Sequence, residues 1–157
     1  MSDKKKEEWE RFEHDMAKAF GGKVINGSGR YACHKGDFKN DKFLGDCKCT
    51  ASQTYQVSHD FLQMLTMWAI NESKMPIMPI RFLSQIGEDI DVVVMPSYVY
   101  MENGGIEPDT YNKRNKVHAL RGEKVKDIVY AFSLGGIEYI SIPVADFLGV
   151  VHGYQNS

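Results

Sequence analysis

Over residues 43–50 the side chains change character at nearly every step. Asp46, Lys48 and Thr50 are polar, while Cys47 and Cys49 between them are apolar. A repeat of two residues is the period of an extended strand, whose successive side chains point to opposite faces. Residues 42–50 therefore read as one strand with a polar face and a face turned to a core. On the polar face an acid and a base stand side by side. A shorter strand over 36–39 precedes it, and Asn40-Asp41 supplies the turn between them.

The rest of the chain supplies layers for such strands to pack against. Trp9, Phe12, Met16 and Phe20 recur three and four residues apart, which predicts a helix over 4–20, stopped at Gly21-Gly22. Residues 23–26 form a strand candidate, and Gly27-Ser28-Gly29 is a turn signal. Ser58 suits an N-cap, with Asp60 in the first turn of a helix reaching about Asn71. Its buried face would hold Phe61, Leu62, Leu65, Trp68 and Ala69. β-Branched residues predict strands over 77–83 and 90–95, with 98–101 extending the second. Residues 102–116 read as a loop. Strands over 127–134 and 137–142 flank Gly135-Gly136, a hairpin signal, and 143–151 close the chain as a short helix. The expected class is α/β, a central mixed sheet flanked by helices. The 157 residues read as one domain, with a core over about 7–100 and the hairpin and closing helix over about 125–151.

Composition sets the setting. Apolar residues make up 43% and charged residues 25%, as in ordinary globular chains. No apolar run approaches the ~20 residues of a membrane span, and the charged N-terminus is no signal peptide, so the chain reads as cytosolic. Three cysteines, an odd number, argue for reduced thiols over a disulfide framework. Cys47 and Cys49 are spaced too closely for the usual zinc pair, and Cys33-His34 has no second pair to complete one. Net charge is -2, yet six basic residues fall between Lys113 and Lys126, and further clusters lie at Lys4, Lys5, Lys6 and at Lys35, Lys39, Lys42. Solvated surface charge explains any one of these runs; together they are also compatible with phosphate binding if the carboxylates gather elsewhere.

The chemistry concentrates in Lys35-Gly36-Asp37, then eight residues, then Asp46-Cys47-Lys48. Two aspartates on neighbouring strands offer hard oxygen ligands to a magnesium ion. Such an ion shields a phosphate, lowers the pKa of a water and stabilises a leaving oxygen. Lys48, on the same face, would orient the attacking water or stabilise the charged transition state.

Three pieces in order carry a resemblance. They are Glu13-His-Asp-Met-Ala-Lys-Ala-Phe-Gly-Gly22, then Ser28-Gly29, then Lys35-Gly-Asp37 with Phe43-Leu-Gly-Asp46-Cys-Lys48-Cys-Thr50. The set resembles the PD-(D/E)xK nuclease superfamily, and within it the archaeal-type and phage Holliday junction resolvases, over roughly the first 95 residues. The resemblance implies a restriction-endonuclease-like core. It implies Asp37 and Asp46 as metal ligands, Lys48 as catalytic lysine and Glu13 as the helix-borne acid completing the site. The backbone carbonyl of Cys47 would be a further ligand, and Ser28 would lie near the scissile phosphate. Magnesium, replaceable by manganese, a homodimer and a branched DNA substrate are implied with it. The triplet begins with Asp46 where glutamate is commoner, and no proline precedes Asp37.

Each residue also has a plainer reading. Asp37 could be a turn residue, Asp46 and Lys48 a surface ion pair, and Glu13 a helix-surface acid with Glu10 as its substitute. Ser28 suits a structural turn. Lys35, Thr50, Gln53 and Gln56 could touch DNA backbone or be polar loop residues, and His34 could be a loop histidine or a base. Trp9 and Trp68 read as core, since both lie on helical stripes. Residues 113–126 are the candidate DNA-contacting loop, and 137–151 a candidate dimer interface. The leading expectation is a structure-specific endonuclease. A restriction-like or nicking nuclease would share its chemistry, and a non-catalytic DNA-binding module could share the fold.

Overall fold

The computed structural model describes residues 3–25, 36–106, 110–111, 116–118 and 130–153. The chain opens with α1 (Asp3–Ala19), β1 (Lys23–Val24), β2 (Phe38–Lys39), β3 (Phe43–Gly45), β4 (Lys48–Thr50) and β5 (Thr54–Gln56). It continues with α2 (His59–Asn71), β6 (Met75–Phe82), β7 (Ile90–Pro96) and α3 (Ser97–Glu102). The last elements are β8 (Thr110–Tyr111), β9 (Lys116–His118), β10 (Tyr130–Leu134), β11 (Ile137–Pro143) and α4 (Val144–His152).

Among the described residues, nine strands form one mixed sheet in the order β1-β2-β3-β6-β7-β11-β10-β8, with β4 also on β6. β6 runs parallel to β3 and β4 and antiparallel to β7. Alternation along β7 sorts the core. Val93 and Met95 join Phe12 and Met16 of α1, Phe20 just after it, Val99 and Tyr100 of α3, and Phe147 of α4. Val92 and Val94 join Leu62, Leu65 and Ala69 of α2. The protein is thus α/β, a mixed sheet with, among the described residues, three helices on one face and one on the other. No described helix is long and apolar enough to cross a membrane.

α1 and α2 stand where the apolar periodicity places them, and the Ser58 side chain caps α2 by accepting from the Phe61 N–H at 3.2 Å. The expected extension of β7 over 98–101 is instead α3. Pro96 ends the strand because it offers no N–H to a continuing ladder, and its φ of -58° suits a helix entrance. The expected loop over 102–116 contains β8 and reaches into β9, and β5 goes unforeseen. Each pairs with a partner far along the chain, β8 with β10 and β5 with β9. In the segment 137–151, Ile140, Ile142, Phe147 and Val150 lie in the chain's own core, whereas Ile137 is exposed.

The expected single strand over 42–50 is two strands with a gap at Asp46-Cys47, although the register runs through, Gly45 opposite Ile77 and Lys48 opposite Ile80. The N–H of Met75 donates to the Lys42 carbonyl and that of Leu83 to the Thr50 carbonyl. Odd-numbered residues of β6 therefore donate toward β3 and β4. Pro79 falls at the position that should donate to the Asp46 carbonyl, and proline has no N–H. One ladder bond is missing there, while the Asp46 N–H still donates to the Ile77 carbonyl at 3.1 Å.

Gly45 completes this local geometry. It lies opposite Phe38, whose ring crosses over it so closely that a Cβ at residue 45 would overlap the ring. Gly45→Ala is expected to destabilise the fold by about 2 kcal/mol through this overpacking. Urea unfolding followed by circular dichroism measures it; an unchanged midpoint would mean that the Phe38 ring has room to retreat.

Candidate active site

The gap between β3 and β4 is where acids gather. Asp46 lies in it. Asp37 precedes β2 and is buried, 9% exposed, with its backbone held on both sides. Its N–H donates to the Gly45 carbonyl and its carbonyl accepts from the Ile25 N–H, both at 2.8 Å. Gly36, at φ +84°, makes the bend before it, a conformation that suits glycine. The Asp37 carboxylate reaches into the gap, where Oδ2 accepts from the Cys47 N–H at 2.7 Å. An amide that would otherwise serve the strand instead fixes an acid.

Glu13 comes from α1, beside the buried Phe12. Asp37 is electrostatically coupled to both Glu13 and Asp46, so the three carboxyls stand close enough to raise one another's proton affinity. Burial first, then the charges of Asp37, Asp46 and Glu10, push the Glu13 pKa up to about 7. Burial first, then Asp37, push Asp46 to about 7 as well, against the opposing pull of Lys48. Lys48 Nζ lies 3.3 Å from Asp46 Oδ1. Glu13, Asp37, Asp46 and Lys48 thus converge. Glu10 stays exposed and contributes charge at the margin.

Among the described residues, no three His, Cys, Asp or Glu side chains stand as a ready cage for a metal ion. The donor chemistry nonetheless fits a hard cation, because all three carboxylates are oxygen donors. Two of them also bind protons unusually strongly, first because they are buried and then because they stand beside other acids, and a divalent ion would neutralise that charge in the protons' place.

The Cys47 carbonyl accepts from the Trp9 indole N–H at 3.1 Å, leaving its other lone pair as the one a cation could use. Burial pushes the Cys47 thiol well above its ordinary range and the Cys49 thiol up to about 12, consistent with unreactive thiols; both are free. Thr50 lines a groove of about 660 Å³ with Lys4, Lys5 and Trp9. Its Oγ1 accepts from the Ser52 N–H at 3.0 Å. Gln53 and Gln56 are exposed. Ser28, His34, Lys35 and Cys33 lie outside the described residues, as do Lys113, Arg114, Arg121, Lys124 and Lys126, while Lys116 opens β9.

Two side chains that orient the site escape the sequence reading. Trp9, one turn before Glu13 on α1, is latched to the gap by its indole rather than being a simple core ring. Arg81 Nη1 lies 2.9 Å from Asp15 Oδ2, and its Nε and Nη2 grip Asp91 at 2.8 and 2.9 Å. Its guanidinium also covers the Phe12 ring at 4.5 Å. Arg81 thereby ties α1 to β6 and β7 through residues on either side of Glu13. The available signal was a charge between the apolar Ile80 and Phe82; its partner Asp91 is fixed by register across β6 and β7.

No protein-family model, curated protein or solved structure matches the chain. The functional reading therefore stands on the four converging side chains.

Proposed function

We propose that this protein is a metal-dependent DNA endonuclease with a restriction-endonuclease-like core of the PD-(D/E)xK kind, acting as a homodimer on branched DNA such as a four-way junction. The observation that carries the reading is the convergence of Glu13, Asp37 and Asp46, with Lys48 Nζ 3.3 Å from Asp46. Asp37 and Asp46, with Glu13 beside them, would hold magnesium or manganese, which when bound shields a phosphate and activates water. Asp37 accepts from the Cys47 amide, which fixes its carboxylate beside Asp46. Lys48 brings a cation to the edge of the acid cluster, where it can orient an attacking water and stabilise negative charge developing on a phosphate. Lys4 and Lys5, beside Thr50, offer cations to flanking DNA backbone. Two symmetric nicks in a junction call for a two-fold dimer.

Digestion of a labelled four-way junction beside a linear duplex of the same sequence, in magnesium, tests the proposal. Preferential, paired nicking of the junction is the expected result. Equal cutting of the linear duplex would reassign the enzyme to restriction-like or nicking chemistry. Binding without any cutting in magnesium or manganese would leave a DNA-binding module and end the nuclease reading.

A further inference from the structure

Lysine is a poor choice for a precisely placed charge, because its stem has four rotatable bonds and its ammonium is a point donor. The Lys48 ammonium is nevertheless held from two directions. One is Asp46, at 3.3 Å. The other is the face of the Phe61 ring, whose centroid lies 4.0 Å from Nζ. The two holds differ in constancy. Asp46 belongs to the acid cluster, and its carboxylate is the group that a cation bound there would claim. An aromatic face has no such competing demand, and its quadrupole attracts an ammonium in any state of the acids.

The ring is itself fixed. Its residue is pinned at the start of α2, where the Phe61 N–H donates to Ser58 Oγ at 3.2 Å. Two turns later Trp68 meets the Phe61 ring edge-on, with centroids 6.4 Å apart and planes at 89°. Ser58 therefore holds the backbone, Trp68 the ring, and the ring the ammonium. The chain of contacts links the face of the sheet covered by α2 to a site whose acids are supplied partly from α1.

We propose that Phe61 is a positioning residue for Lys48, holding its ammonium over the acid cluster by a cation–π contact while Asp46 is engaged elsewhere. The proposal rests on the nuclease reading, since it assigns Lys48 a catalytic task. It also makes a statement about geometry that can be measured without cleavage. In protein labelled with [ε-13C]lysine, the Cε proton resonance lost in Lys48→Arg identifies Lys48. That resonance is expected upfield of the other lysines because it lies over a ring face.

Phe61→Leu, which keeps an apolar side chain, is expected to return this resonance to the ordinary lysine position. It should slow junction cleavage about tenfold, the equivalent of ~1.4 kcal/mol. Junction affinity in calcium and the manganese affinity of the protein should stay unchanged. Phe61→Tyr should restore both shift and rate. Phe61→Met serves the same purpose if the leucine variant does not fold. A normal Lys48 resonance in the native protein overturns the proposal whatever the activity. So does native-like cleavage by the leucine variant, or failure of tyrosine to rescue. In those cases the nuclease reading survives if the native protein cuts; a native protein that cuts no DNA brings down both.

Discussion

Asp46→Asn is expected to reduce DNA cleavage by on the order of 10³-fold while leaving junction binding intact. Asparagine preserves the shape of the side chain and an oxygen that can still accept from Lys48, but it removes the negative charge. The loss would therefore report the charge itself. Asp37→Asn should behave similarly, with a larger structural component because Asp37 also accepts from the Cys47 amide at 2.7 Å. Lys48→Ala removes the one cation within an ion-pair distance of Asp46 among the described residues and should likewise abolish cutting. Single-turnover cleavage of a labelled junction in magnesium, beside a gel-shift assay in calcium, measures both properties. Calcium should permit binding without turnover. Native cleavage rates in two of the three variants, or vigorous cutting in calcium, would remove the assignment of these residues.

The second large effect concerns stability against pH without divalent ions. A carboxyl whose folded pKa lies above its unfolded value binds more protons when folded throughout the interval between the two. Stability supplied by that proton is complete below the unfolded pKa and is lost as pH rises through the folded one. For Asp46 the interval runs from the ordinary 3.8 to about 7. The native protein should thus weaken between pH 4 and 8, by on the order of 3 kcal/mol relative to Asp46→Asn, which has no such proton to lose. Glu13, also raised to about 7, acts in the same direction. Magnesium or manganese at pH 8 should recover stability in the native protein and much less in the variant, because a ligand that binds only the folded state stabilises it. Thermal unfolding of both proteins from pH 4 to 9, in chelator and then in metal, checks the sign. A difference between them that grows in favour of the native protein as pH rises in chelator would contradict the crowded-acid account.

Much of this arrangement was legible in residue order because its causes are local. The period of two around Asp46 and Lys48, the stripe through Phe12 and Met16 that borders Glu13, and the Ser58 cap all arise from neighbours in the chain. The missed features arise from distant partners. Nothing near Thr54 announces its pairing with His118, and nothing near Arg81 announces Asp15. The break between β3 and β4 lies between these cases. Its cause was visible as Pro79 in an apolar run, but its effect falls on another strand. It becomes readable only once register sets that proline opposite the gap. Phe61 was placed correctly on the inner side of α2, yet no spacing rule says that its ring would meet Lys48.

Pro79 has a consequence for how acids can be seated within a sheet. Having no N–H, it leaves the Asp46 carbonyl without its ladder donor, while the Asp46 N–H still donates to the Ile77 carbonyl at 3.1 Å and pairing resumes at Lys48. Because the two strands keep step across that point, a single omitted bond marks the place of the acids without shifting the alignment of what lies on either side.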